Sequence, residues 1–198
     1  MSVVILKYNA GNIQSVLYAL NRIGVQASVT ANRDEILAAD KVIFPGVGEA
    51  SSAMLSLQEN GLDTLIPQLT QPVLGICVGM QLLCSFSEEN NTPCLGIFPQ
   101  QVQLFKPNTS QPALKVPQIG WNTIYNLRSP LMKGLPENSY TYSVHSYHVP
   151  VNEHTIATTH YVHPYSAAIQ KDNFYGVQFH AEKSAAVGEQ ILQNFLSL

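Results

Sequence analysis

Charge is scarce in this 198-residue chain: only 12% of residues are charged, 10 Lys and Arg against 13 Asp and Glu, for a net charge of −3. The basic residues are scattered and form no stripe, which argues against a surface built to follow a nucleic acid. Long apolar runs are missing too, and none approaches the roughly 20 residues of a membrane span. The N-terminus opens on a strand-like run without a charged leader and cleavage site, so no signal peptide is expected. Cysteine occurs only at positions 77, 84 and 94, an odd count without CxxC spacing. That speaks against a disulfide framework or a zinc site and fits a reducing, cytoplasmic setting with no metal or cofactor. What is present is a 45% apolar content at a mean hydropathy of +0.04. A chain of this length can bury a real core without such staples, and a single domain over residues 1–198 is expected.

Hydrophobic periodicity sorts the first half into alternating strands and helices. Ser2–Tyr8 reads as a buried strand, and Asn9-Ala10-Gly11-Asn12 as a polar turn. A helix follows with Ile13, Val16, Leu17, Leu20 and Ile23 on one stripe, ended by Gly24. Val25–Thr30 is a second strand, and Asn32 with Glu35 three residues on resembles a capping box before a short helix. Lys41–Phe44 is a third strand, ending in Pro45-Gly46-Val47-Gly48; a helix through Ala53, Met54, Leu55 and Leu57 comes next. Such alternation with short connections predicts a doubly wound, flavodoxin-like, mostly parallel sheet flanked by helices. Ligands of these sheets collect at the carboxyl ends of the strands. Beyond about residue 95 the style changes to strands joined by turns, at 102–105, 122–125, 139–149, 155–161, 167–171 and 174–179, so the C-terminal half is expected to be antiparallel and strand-rich. Asp172-Asn173 suits a hairpin, and a helix led by Ser184, carrying Val187, Ile191, Leu192 and Phe195, closes the chain.

One stretch organises the rest. Pro72-Val73-Leu74-Gly75-Ile76-Cys77-Val78-Gly79-Met80-Gln81 begins as a buried strand, turns at Cys77 and continues as a helix. A reactive residue with glycine two positions away on each side is the nucleophile-elbow pattern, with Cys in place of Ser. Side chains at the flanking positions would collide with neighbouring backbone, and the head of the next helix favours thiolate. Alone, the stretch also fits a buried structural Cys in a glycine-rich turn.

The remaining chemistry weighs against that blander reading. Gly46-Val47-Gly48 lacks the third glycine of a dinucleotide fingerprint, with Ser51 in its place, and it follows the third strand rather than the first. It suits an oxyanion hole better, since an uncluttered turn lets backbone N–H groups face a ligand. A Cys nucleophile needs a base and a group that orients the base. In Gln178-Phe179-His180-Ala181-Glu182-Lys183-Ser184, His180 lies at a strand end with Glu182 two residues on. Residues two apart in extended chain point the same way, so the carboxylate can hold the imidazole. Cys77, His180 and Glu182 are therefore the candidate triad. His145 and His148, in an aromatic-rich strand, suit packing or hydrogen bonding; His160 and His163 lack a third metal ligand. Cys84 reads as core, and Cys94 has no assigned role.

The elbow, the glycine turn and Phe179-His180-Ala181-Glu182-Lys183-Ser184 together resemble the class I, triad-type glutamine amidotransferases. Asn9-Ala10-Gly11-Asn12, Val116-Pro117-Gln118-Ile119-Gly120-Trp121-Asn122 and Tyr142-Ser143-Val144-His145-Ser146-Tyr147 narrow the resemblance to the glutaminase subunits of imidazole glycerol phosphate synthase, from the first strand to the last helix. The resemblance implies hydrolysis of L-glutamine to glutamate and ammonia through a glutamyl thioester on Cys77. It implies an oxyanion held by backbone at Gly46, Val47 and Val78. Substrate would be recognised by Gln81, Glu89 and the backbone at Ser146, Tyr147 and His148. It also implies a heterodimer with a (β/α)₈-barrel cyclase subunit that uses the ammonia in histidine biosynthesis, with Asn12, Trp121, Tyr142 and Lys183 at the interface. Three positions depart from the family pattern: Ala181 for the usual Pro, Gln118 for the usual His, and Val78 for the usual Leu. A paralogous glutaminase serving an amidino-sugar synthase shares these features. A non-catalytic flavodoxin-like module would be expected to have lost part of the triad, and all three residues are present.

Overall fold

The computed structural model describes residues 1–9, 11–107 and 114–198; Ala10 of the first turn lies outside the described residues. The first half runs β1 (Val3–Leu6), α1 (Ile13–Arg22), β2 (Ser28–Thr30), α2 (Arg33–Ala38), β3 (Lys41–Gly46), α3 (Ala50–Glu59), α4 (Leu62–Leu65), β4 (Val73–Cys77) and α5 (Val78–Leu82). β1, β3 and β4 are buried from end to end, as their mostly apolar runs encode; the exception in residue type, Lys41 at the start of β3, donates its Nζ to the Leu198 carbonyl at 2.8 Å. The stripe of α1 faces them through Val16, Ala19 and Leu20, while Ile13, Leu17 and Ile23 pack at its margins. α4 was not evident in the sequence; Gly61, at φ 65°, turns the chain after α3 and lets a second short helix start.

The second half continues as β5 (Phe86–Ser87), β6 (Thr92–Pro93), β7 (Gln101–Leu104), β8 (Gln118–Ile124), β9 (Ser139–His145), β10 (Tyr147–His148), β11 (Thr155–His160), β12 (Pro164–Lys171), β13 (Phe174–Val177) and α6 (Ala185–Leu196). The central sheet has the order β11-β12-β13-β4-β3-β1-β2. Its β2, β1, β3, β4 and β13 are parallel, and β12 and β11 add antiparallel at one edge. A smaller sheet, β10-β7-β5-β6, and the antiparallel hairpin β8–β9 complete the strands. This is the doubly wound, mostly parallel sheet with an antiparallel C-terminal half that the sequence predicts.

Local details differ from the expectations. The stretch 139–149 is not one strand. It breaks at Ser146, whose carbonyl accepts from Phe105 N–H, so that β9 pairs with β8 and β10 crosses to β7. The last strand pairs with β4 only as far as Val177; Gln178 N–H still follows β12 by donating to the Ala167 carbonyl, and His180 N–H leaves the sheet for the Tyr142 carbonyl. Asn32 caps α2 through its side chain, which accepts from Asp34 and Glu35 N–H; its own N–H goes to Thr30 Oγ1 at 2.9 Å, so the reciprocal half of a capping box is absent. Ser184 precedes α6 without capping it, since its hydroxyl donates to the His180 carbonyl at 2.7 Å. Asp172, at φ 53°, makes the expected tight connection between paired Lys171 and Phe174.

Candidate active site

At the end of β4, Cys77 adopts φ 54° and ψ −111°, a conformation that L side chains rarely occupy. The glycines on either side explain how the turn closes. A Cβ on Gly79 would run into the carbonyl oxygen of Phe44 on β3, and one on Gly75 would lie 2.8 Å from the Met80 nitrogen. Gly46 stands opposite Cys77 in the β3–β4 register, so the glycine turn and the elbow meet at one end of the sheet. Tyr8, also at that end, donates its hydroxyl to the Pro45 carbonyl at 2.6 Å and braces the turn from below. Burial above all, with the Cys77 charge beside it, pushes the Tyr8 phenol's pKa up, so Tyr8 stays neutral.

His180 follows β13 by three residues and opens the 3₁₀ turn Ala181–Lys183. Its Nδ1 lies 2.7 Å from Glu182 Oε1, both side chains being almost fully buried. The two side chains expected to meet do so, but through this turn and not through the alternation of extended chain. Burial disfavours charge on His180, but its contacts with Cys77 and Glu182 and their negative charges outweigh it and push the imidazole up to about 10. Asn12, at φ 77° before α1, also donates to Glu182 Oε1, and its Nδ2 lies 3.4 Å from His180 Nδ1. The turn is tied to the hairpin as well. His180 N–H donates to the Tyr142 carbonyl at 2.8 Å, and Tyr142 N–H donates to Ser184 Oγ at 3.0 Å.

A cleft of about 330 Å³ lies over these groups. Its lining includes Cys77, His180, Val47, Gly48, Val78, Gln81, Glu89, Ser146, Tyr147 and Lys183. Val47 lies just past the β3 ladder and Val78 opens α5, where the first N–H groups have no intrahelical acceptor. Gln81 Nε2 donates to the Tyr147 carbonyl and to Gln178 Oε1, each at 3.0 Å. Glu89 Oε2 accepts from the Ala50 N–H at the head of α3 at 2.8 Å; burial, only partly opposed by that bond and reinforced by nearby Glu49, raises its pKa.

Other singled-out residues fall elsewhere. The His148 ring does not line the cleft; it is buried and stacks on Phe105 at 4.4 Å. Trp121 and Tyr142 pack edge to face at 5.8 Å on the outer side of β8–β9, with Trp121 53% exposed. Cys84 is buried in the core, as expected. Three side chains with direct links to this machinery were not singled out as such: Asn12 on the triad, Gln178 between Gln81 and Cys77, and Tyr165 against His145. Each link spans a long sequence separation and leaves no local pattern.

A strained cysteine elbow, an imidazole–carboxylate pair and a facing glycine turn on a flavodoxin-like sheet are the marks of a class of enzymes. The family described as glutamine amidotransferase class-I matches residues 4–198, and the chain belongs to it. Solved structures share the fold. One is a glutamine amidotransferase at TM-score 0.75, with 16% identity, 100% of this chain and 98% of that chain covered. Another is PurLQS from Thermotoga maritima at TM-score 0.67, with 14% identity, 99% and 97% covered. The chain is 58% identical over 198 residues to the imidazole glycerol phosphate synthase subunit HisH of Bacteroides fragilis, with all of both chains covered. It is 45% identical over 197 residues to the subunit of that name from Haemophilus influenzae, covering 99% of this chain and 97% of the relative. Within its family, then, the chain falls among the HisH subunits. Among the described residues, no helix is long and apolar enough to cross a membrane.

Proposed function

We propose that residues 1–198 act as one glutaminase domain, in the cytoplasm, with Cys77 as nucleophile. The observation that carries this is the Cys77–His180–Glu182 constellation at the floor of the cleft. Cys77 attacks the side-chain amide carbon of glutamine. N–H groups at Gly46–Val47 and at Val78 receive the oxyanion, a type of contact whose single removal costs ~3–4 kcal/mol in transition-state stabilisation. His180, held in orientation by Glu182, protonates the departing ammonia and then takes a proton from the water that releases glutamate from the thioester. Gln81, Glu89 and the backbone at Ser146–His148 hold the amino-acid end of the substrate.

Ammonia passes to a (β/α)₈-barrel cyclase subunit that makes imidazole glycerol phosphate. The partner docks on the side of the cleft bounded by Asn12, Trp121, Tyr142 and Lys183, where Ile119, Trp121 and Tyr140 leave an exposed apolar face. The decisive test is to mix the chain with that barrel and its ribotide substrate and to measure glutamate release and product together. Glutamate release is expected to be slow from the free chain and to rise in the loaded complex, because the glycine turn that carries the oxyanion N–H groups can be realigned. Full turnover by the free chain would overturn the coupling. A glutamine-analogue electrophile that labels Cys84 or Cys94 instead of Cys77 would overturn the nucleophile assignment.

A further inference from the structure

Gln178 is almost completely buried, and both ends of its side-chain amide are in use. The polarity of its contacts can be read from a group that has no choice. The Tyr147 carbonyl only accepts, so the Gln81 nitrogen that approaches it at 3.0 Å must be the amide NH₂. That nitrogen also meets Gln178 at 3.0 Å, which must therefore present its oxygen. The Gln178 NH₂ then faces the Cys77 sulfur, at 3.8 Å. The thiol has a second contact, to the Val144 carbonyl at 3.9 Å. A thiol can donate to that carbonyl; a thiolate can only accept, and Gln178 is a donor.

We propose that Gln178 is a further catalytic residue, whose side-chain N–H holds the Cys77 sulfur as thiolate while its oxygen fixes the Gln81 amide at the substrate end of the cleft. This rests on the reading of Cys77 as nucleophile. The other ionisable groups facing the sulfur are His180, backed by Glu182, from the turn after β13, Tyr8 from the end of β1 and Tyr165 from β12. Burial keeps both phenols neutral, so His180 is the charged partner and Gln178 the neutral one. His145 and Lys183 complete the cleft wall nearby.

Two replacements separate a role on sulfur from simple bracing. Gln178→Glu keeps an oxygen for Gln81 and removes the donor to sulfur; Gln178→Met removes both without adding charge. The readout is the rate of iodoacetamide alkylation of Cys77 against pH, by peptide mass mapping of the full chain, with thermal melts to confirm folding. Loss of a hydrogen bond to a charged group should move the alkylation midpoint up by about one pH unit, about tenfold in thiolate at fixed pH. Both variants should show it, Gln178→Glu the more strongly. In the barrel complex Gln178→Glu should lower kcat with little change in KM for glutamine, because Gln81 keeps its partner. An unshifted midpoint in folded Gln178→Met overturns the inference and leaves the nucleophile reading intact. Absence of alkylation at Cys77 in the unaltered chain overturns both.

Discussion

Cys77 joins two demands that ordinary backbone geometry keeps apart. Its sulfur must leave the sheet toward the cleft, and its helix must start at once, so the residue sits at φ 54°, ψ −111°. Such conformations cost on the order of 1–3 kcal/mol for a residue with a Cβ and almost nothing for glycine. The strain is held in place by Gly75 and Gly79, which let β3 and α5 approach the turn from either side. Replacing the cysteine in two ways isolates it. Cys77→Ala removes the thiol and keeps the strain; Cys77→Gly removes both. Glycine is normally the less stable of the two by roughly 0.5–1 kcal/mol through its greater freedom in the unfolded chain. Here the order should invert, with Cys77→Gly the more stable by about 1 kcal/mol, some 2–4 °C in Tm for a chain of this size. Both should be inactive toward glutamine. Melts in which Cys77→Ala matches or exceeds Cys77→Gly would show that the elbow stores no strain.

The elements around the site differ in how far they could be read from sequence, and the difference is physical. The elbow was legible because its constraint is local: two glycines, one cysteine and the strand–helix boundary lie within a few residues. The triad turn was legible in composition but not in shape, since His180 and Glu182 meet through a 3₁₀ turn that local spacing does not distinguish from extended chain. The Asn12–Glu182 and Gln178–Cys77 contacts were not legible: the first, across 170 residues, is set by α1 packing against the turn after β13, and the second, across 101, by β13 adjoining β4 in the sheet. Ala181, where the family usually has Pro, now has a structural account. His180 already has an extended backbone, at φ −83° and ψ 96°, outside the α region that a following proline disfavours, and Ala181 occupies the first position of the turn, where proline is well tolerated. The alanine thus preserves the geometry without pre-setting it. Ala181→Pro should stabilise the chain by about 0.4–1 kcal/mol through the unfolded state, with glutaminase activity retained. A lowered urea midpoint would show that the turn cannot accept the ring.

At the scale of the whole molecule, the histidines behind the cleft set the response to acid. His145 is buried with Nδ1 at 2.7 Å from the Tyr147 carbonyl and Nε2 at 3.2 Å from the Tyr165 hydroxyl. His148, stacked on Phe105 beside His163, has neither ring nitrogen hydrogen-bonded among the described residues. Burial lowers both, with the Tyr147 carbonyl opposing and His180 adding for His145, and with His163 and His145 adding and the nearby Gln103 backbone opposing for His148; they come to about 4 and about 3. Their ordinary value is about 6.5, so between these limits the unfolded chain binds protons that the folded chain refuses. Stability therefore falls as pH drops below about 6.5, and it falls through the sheet that carries β10 and the cleft wall. His148→Phe removes one of these groups while keeping an aromatic ring against Phe105. Urea melts of the two proteins should lie closest at pH 7 and diverge as pH falls, the variant gaining about 2 kcal/mol over the parent chain by pH 4.5 beyond any difference at pH 7. Acid loss of exposed carboxylate contacts is common to both and cancels in the comparison. Parallel stability curves from pH 7 to 4.5 would place the acid sensitivity outside the His148 stack.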